Sequence, residues 1–309
     1  MGSDAIYDRH HEVFLLWACR ETGVFEALFA GQRRPDAVAE HAGITDRAAE
    51  IVLEALADAG YTQESDEEYI PTEELRGFDP ETPPTARGIL PHRVDSLENY
   101  IRLPETMRTG SAPEPSEEEF KNYMGAMASV PAGTLRAIVT AAEHVHPRPG
   151  QVLDVGGGPG RFGAEFARRG ADVTLLDQRS VLELLADHHE ELDLDVVEGD
   201  ARESLPDGFD LVFSARMTVS LSLSGINEYF SNVFEALEPG GTFVAAEWVL
   251  GRAEVAERFG MHMLSMSEVG NTYTESEYLS ALESAGFADA EIRDVPDTRF
   301  QLLVGRKPA

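Results

Sequence analysis

The sequence contains a single cysteine, Cys19, among 309 residues. An intrachain disulfide is therefore excluded, as is any zinc ribbon built on paired cysteines. Lysine is almost as scarce. Lys121 and Lys307 are the only two, and the other 23 of the 25 basic residues are arginine. Against them stand 56 Asp and Glu, giving a formal net charge of −31. A field of that sign repels phosphate backbones, so no nucleic-acid partner is expected. Long apolar runs are also missing. Val13 to Cys19, the longest early candidate, is seven residues flanked by Glu12 and Arg20, far short of the ~20 that a membrane span requires. Nor does the N-terminus carry a basic segment followed by an apolar stretch and a small-residue cleavage site. These absences point to a cytoplasmic protein with no membrane partner.

Hydrophobic residues nevertheless make up 42% of the chain, enough for a sizeable core. The length suggests about two domains. The acids are scattered over the expected solvent faces and do not form one tail, which points to a halophilic surface in a salt-rich cytoplasm. At about 1 M salt the Debye length shrinks to ~3 Å and repulsion between surface carboxylates largely disappears. An ordinary, very soluble acidic protein is the alternative.

The first 95 residues read as a helical unit. Val13, Leu16, Trp17, Val24 and Leu28 recur at helical spacing from about Tyr7 to Phe29. A short helix over Asp36–His41 follows, then a longer one over Asp46–Ala59, capped by Thr45 and stopped by Gly60. Tyr61–Pro71 resembles a small β-wing, so residues 1–95 read as a winged-helix-like unit. Residues 96–148 form a helical connector. In it Ser116 and Glu119 make a capping box for the helix through Tyr123, Met124 and Met127, and Thr134–Val145 forms the last helix.

From Gln151 the rhythm changes to alternating strand and helix. Strands are expected at Gln151–Val155, Asp172–Leu176, Leu194–Val197, Phe209–Ala215 and Gly241–Val249. Helical patterns at Phe162–Arg169, Val181–His188 and Ile226–Leu237 separate them, which implies a parallel sheet covered on both faces. After a helix over Glu275–Ala285, the strands Ala290–Val295 and Arg299–Gly305 are so closely joined that they pair antiparallel. The expected fold of residues 96–309 is α/β: seven mostly parallel strands with an antiparallel C-terminal hairpin.

Asp154-Val155-Gly156-Gly157-Gly158-Pro159-Gly160 follows the first of these strands and opens a helix. Glycine suits a chain that must turn sharply and approach a ligand with no Cβ in the way. Gly158-x-Gly160-x-x-Gly163 also satisfies the dinucleotide fingerprint, so the loop alone leaves NAD open. Asp177 ends the second strand, where a carboxylate accepts ribose hydroxyls, and Asp200 with Ala201 follows the third. Asp154 beside the loop suits a methionine ammonium better than a pyrophosphate. With the terminal hairpin, this favours S-adenosylmethionine.

At these residues the chain resembles the class I S-adenosylmethionine-dependent methyltransferases, specifically the caffeate/acetylserotonin O-methyltransferase type. The resemblance extends over Asp154–Gly160, Asp177, Gly199-Asp200-Ala201, Phe209–Phe213, Ala236–Gly241 and Thr274–Phe287. It implies a Rossmann-like methyltransferase sheet behind a winged-helix dimerisation domain, hence a homodimer. It also implies a small-molecule acceptor, aromatic and methylated on oxygen, with Tyr123 and Met127 lining its pocket. No metal site is expected.

The catalytic half matches less well. Members of this family place a histidine after the fourth strand, flanked by two glutamates. Here that histidine position falls on Val219, which cannot accept a proton. The first glutamate falls on Glu247 and the second near Thr272. Glu247 and His262 are then the candidates for a base, although packing in a helix would equally account for His262. Arg216, just past the fourth strand, is placed to steer an acidic substrate. C-methylation and a catalytically silent cofactor-binding protein remain alternatives. A winged-helix regulator is a further one, opposed by the helix Asp46–Ala59, where Arg47 is the sole cation among four acids. If the acidic surface is an adaptation to salt, the melting temperature rises as KCl approaches molar concentration. A flat or falling dependence would contradict it.

Overall fold

The computed structural model describes the backbone of residues 3–192 and 194–309, with side chains from His10 onward. The chain divides into two compact units. One comprises the residues up to Glu98 together with Pro115–Ser129, and the other Asn99–Glu114 together with Val130–Ala309.

The first unit begins with α1 (Ser3–Glu21) and α2 (Val24–Phe29). These replace the single helix expected from Tyr7 to Phe29. Gly23, at φ +80°, breaks the run in a left-handed conformation that glycine adopts without strain. Then come α3 (Pro35–Ala42), α4 (Asp46–Asp58) and the antiparallel hairpin β1 (Thr62–Ser65) and β2 (Glu68–Pro71). Thr45 caps α4 through its hydroxyl, which accepts the Ala48 N–H at 3.2 Å. Leu16, Phe25, Leu28, Leu53 and Leu56 make the core of this unit. Cys19 is enclosed in it, and burial pushes its thiol up to about 12. The helix α5 (Leu90–Thr109) gives its first turns to this unit, and α6 (Glu117–Ala128) completes it.

A buried polar chain fixes α6 here. Asp95, only 4% exposed, accepts from Arg20 Nη1 at 2.6 Å and from Asn122 Nδ2 at 3.0 Å. Asn122 Oδ1 in turn accepts from Arg87 Nη1 at 2.8 Å. Burial raises the Asp95 pKa, and the hydrogen bonds from Asn122 and Arg20 oppose that rise.

The second unit contains α7 (Ala132–Val145), β3 (Gln151–Val155), α8 (Arg161–Arg168), β4 (Asp172–Asp177), α9 (Arg179–Leu184), α10 (Ala186–Glu190) and β5 (Asp195–Glu198). It continues with β6 (Phe209–Ala215), α11 (Leu223–Ala236), β7 (Leu237–Glu247), α12 (Ala256–Met266), α13 (Glu275–Ser284), β8 (Ala288–Asp294) and β9 (Gln301–Arg306). Among the described residues these strands form one seven-stranded sheet in the order β5-β4-β3-β6-β7-β9-β8. It is parallel except for β9, which runs antiparallel to both neighbours. Alternation along β6 sorts its side chains to two faces. Leu211 and Phe213 join a core containing Ile138, Val139 and Phe166, whereas Val212 joins Tyr229, Phe230 and Phe243 on the other side. Strand order reverses at β3, whose neighbours are β4 and β6. In open α/β sheets, ligands bind at the carboxyl ends of strands at such a reversal.

One expected helix, Val181–His188, is divided into α9 and α10, with Leu185 between them at φ −109°, ψ 15°. Among the described residues, no helix is long and apolar enough to cross a membrane.

Removing Arg20 would leave Asp95 buried without its cationic partner. Arg20→Met is expected to lower unfolding free energy by about 3 kcal/mol in urea titrations. Adding Asp95→Asn should restore most of it. A double variant as unstable as the single one would contradict this account.

Candidate functional site

The chain leaves β3 through three glycines in left-handed conformations: Gly156 (φ +66°), Gly158 (φ +51°) and Gly160 (φ +69°). Space confines the loop as well as geometry. A Cβ on Gly157 would lie 2.8 Å from Leu175 Cγ, and one on Gly160 would lie 2.7 Å from Leu192 Cδ1. One on Gly158 would meet nothing within 4 Å. The inner side of the loop is thus packed, while Gly158 presents open backbone.

Two carboxylates hold this turn. Asp177, at the end of β4, accepts the Gly158 N–H on Oδ2 at 2.8 Å and the Gln178 N–H on Oδ1 at 2.7 Å. Burial raises its pKa, and the two backbone donors oppose the rise. Each of its oxygens retains a lone pair for a ribose hydroxyl. Asp154 is arranged differently from its expected place beside a ligand ammonium. It is 1% exposed, and its Oδ2 accepts the Gly163 N–H at 2.9 Å, tying β3 to α8. Burial pushes its pKa up to about 7. Asp200 is held by Arg202, with Nη2 2.6 Å from Oδ2 and Nε 3.0 Å from Oδ1. The Ala201 methyl packs into the core.

Open glycine backbone and an acidic strand end suit the amino-acid and ribose parts of S-adenosylmethionine. Gly156, Gly158, Gly160 and Asp177 are the residues that would hold them, with Asp200 and Ala201 beside the base. Sequence reasoning passed over two further residues of the cradle. His188 and His189, on α10, direct Nε2 to Pro159 O at 3.1 Å and to Gly158 O at 2.8 Å. Only the fold brings them to the loop. His146 is half-buried and within 3.0 Å of Thr242 Oγ1.

Beyond β6 lies a second cluster. Arg216 adopts φ +55°, a conformation rarely taken by a residue with a Cβ. Its N–H donates to Ala246 O at 2.9 Å, and its guanidinium lies 5.2 Å from the centre of the Trp248 indole. Glu247 is fully buried. Its Oε1 accepts the Thr218 N–H at 3.0 Å, while Oε2 has no hydrogen-bond partner among the described residues. Burial pushes its pKa up to about 7, opposed by the Thr218 donors and by Arg216. The carboxyl thus ties the end of β7 to the loop after β6. Val219 is 3% exposed, and its carbonyl accepts the Asn271 N–H at 3.0 Å. Thr272 is buried, with its hydroxyl donating to Ala256 O.

His262 brings an imidazole into this cluster. Its Nδ1 lies 3.0 Å from the Tyr100 hydroxyl, and its ring is tilted 5.3 Å from that of Phe259. Burial, then the charge of Arg216, lower its pKa and favour the neutral ring. Tyr100 had no sequence signal, since 162 residues separate it from its partner. Tyr123 and Met127 lie on α6, in the other unit. Both are half-buried there, with Tyr123 5.5 Å from the His92 ring.

Asp154 and Glu247 titrate near 3.8 and 4.5 when unperturbed and about 7 in the fold. Between those values the folded chain binds more protons than the unfolded one. Each group's contribution to stability therefore falls as pH rises through that window. Asp154→Asn and Glu247→Gln should gain in melting temperature relative to wild type between pH 5 and pH 8. A difference that does not change with pH would refute the burial argument.

Residues 152–241 match the family described as "Methyltransferase domain". The chain is 26% identical to 3-hydroxy-5-methyl-1-naphthoate 3-O-methyltransferase of Streptomyces sahachiroi, over 91% of this chain and 86% of that protein. It is 25% identical to the tetracenomycin polyketide synthesis 8-O-methyl transferase TcmO of Streptomyces glaucescens, over 91% and 89%. Its fold matches that of human N-acetylserotonin methyltransferase, solved in complex with S-adenosylmethionine. The TM-score is 0.73 at 21% identity, covering all of both chains. With the glycine turn at the strand reversal and Asp177 beside it, these similarities show a chain that carries a methyltransferase domain on the fold of N-acetylserotonin methyltransferase and is similar to S-adenosylmethionine-dependent O-methyltransferases.

Proposed function

We propose that the protein methylates a hydroxyl of a small aromatic acceptor, working as a homodimer in a salt-rich cytoplasm. The observation that carries this reading is the Tyr100–His262 pair, which brings an imidazole into the cluster beyond β6, in the unit that carries the glycine turn. The Streptomyces relatives are named for oxygen methylation of a naphthoate and of a polyketide. Exposed apolar side chains on α5 and α12, among them Ile101, Met107, Met261 and Leu264, offer surface that a second copy would cover.

Bound S-adenosylmethionine supplies an electrophilic methyl group and departs as a neutral thioether. The chain therefore has to orient an oxygen and take its proton. In this reading the His262 ring, paired with the Tyr100 hydroxyl at 3.0 Å, takes the phenolic proton. A phenol loses its proton near pH 10, so such a base is worth roughly 10²–10⁴-fold. Glu247 acts indirectly, holding the loop that carries Arg216, Met217 and Thr218. Arg216 and the Trp248 face attract an anionic aromatic ring. Asp154 organises the loop from behind, while Asp177, Asp200 and Ala201 bind the nucleoside.

Val219 supports a second reading, an activated carbon acceptor that needs no base. Product analysis after radiolabelled methyl transfer against cell extract separates the two. His262→Gln is expected to lower kcat about 10²–10⁴-fold and to abolish the loss of rate at acid pH. A wild-type rate and pH profile in that variant, or a methyl group found on carbon, would remove His262 as the base. Absence of any transfer by the wild type would leave a cofactor-binding protein without catalysis.

A further inference from the structure

Pro159 removes one of the backbone donors of the glycine turn, because proline has no N–H. The peptide unit between Gly158 and Pro159 therefore has a single polar handle, the Gly158 carbonyl. That carbonyl lies 2.8 Å from His189 Nε2. A carbonyl oxygen only accepts, so the ring must donate, which places the proton on Nε2. Neighbouring units are held in the same way. Asp177 takes the N–H of the Gly157–Gly158 unit at 2.8 Å. The Pro159–Gly160 unit is held at both ends, by His188 on Pro159 O at 3.1 Å and by Gly157 O on the Gly160 N–H at 2.9 Å.

Three consecutive peptide units are thus pinned, and the middle one depends on His189. Its ring is 6% exposed, a setting in which an unpaired polar group is costly. Nδ1 has no hydrogen-bond partner among the described residues, so the Gly158 carbonyl is the ring's sole satisfied contact. His189 also lies close enough to Asp177 to favour its ionised form. Behind the pair, Leu192 packs against Gly160, close to where a Cβ there would lie. The segment from α10 to Leu192 is therefore a support for the outer side of the turn.

We propose that His189, assisted by His188, is a positioning residue that holds the Gly158–Pro159 peptide in its ligand-ready orientation and so sets the affinity for S-adenosylmethionine. This rests on the reading of the glycine turn as the cofactor cradle. Without the clamp, the turn would have to be ordered by the ligand itself, at a cost in binding. The acceptor and the proton transfer would be untouched.

The test is calorimetric titration with S-adenosylhomocysteine, together with steady-state kinetics on S-adenosylmethionine. His189→Leu is expected to weaken binding about tenfold, the size of one lost hydrogen bond, and to raise KM for the cofactor while kcat stays near wild type. His189→Gln, whose amide nitrogen can reach the place of Nε2, should keep most of the affinity. His189→Asn, too short to reach, should behave like leucine, and this pair decides the matter if the leucine variant does not fold. Unchanged affinity in His189→Leu, or equal losses for Gln and Asn, would overturn the clamp. A wild-type protein that binds no S-adenosylhomocysteine would overturn the cradle itself, and the clamp with it.

Discussion

The turn that ends β3 is the constraint on which the rest of the second unit depends. The chain must leave the sheet at the point where strand order reverses, and it does so in the left-handed region at Gly156, Gly158 and Gly160. Left-handed backbone is accessible to glycine at no steric cost, but it costs glycine more entropy to order than any other residue. The fold meets that cost with side chains from outside the turn. Asp177 comes from β4 and His188 and His189 from α10, while Asp154 ties the following helix. The same absence of Cβ atoms that lets the turn form leaves Gly158 open to a ligand.

Several of the ionisable groups in this unit hold backbone. Asp154 binds the Gly163 N–H and Glu247 the Thr218 N–H, each in full burial that pushes its pKa to about 7. Burial of a charge is unfavourable unless it is compensated, and each of these carboxyls accepts a backbone N–H. Their value lies in the loops they orient. The loop after β6 is the clearer case, since it carries Arg216 in a strained conformation over the Trp248 ring. Val219 fills core space after β6, and the His262 ring enters the cluster from α12.

Much of this architecture was legible in the sequence. The strands Gln151–Val155 and Phe209–Ala215 appear with the bounds that the sequence pattern gives, because both are mainly apolar runs ended by turn residues. The capping box at Ser116 forms as its spacing requires. Errors arose where local pattern and local backbone conflict. Gly23 interrupts a helical stripe that continues on both sides of it, and Leu185 bends a run whose apolar spacing is still helical. Side-chain direction was less legible than position. Asp154 sits where motif reading puts it, yet its carboxyl turns to a helix backbone.

By itself, the sequence determined the class of fold, the position of the glycine turn and the acid that ends β4. All of these are local patterns, in which period, spacing and residue type act over a few positions. Only the tertiary structure decided which groups meet. His189 reaches Gly158 from 31 residues away, and Tyr100 meets His262 across 162. Such contacts depend on how strands and helices pack. Packing is set by the whole buried surface, so no short stretch of sequence specifies it.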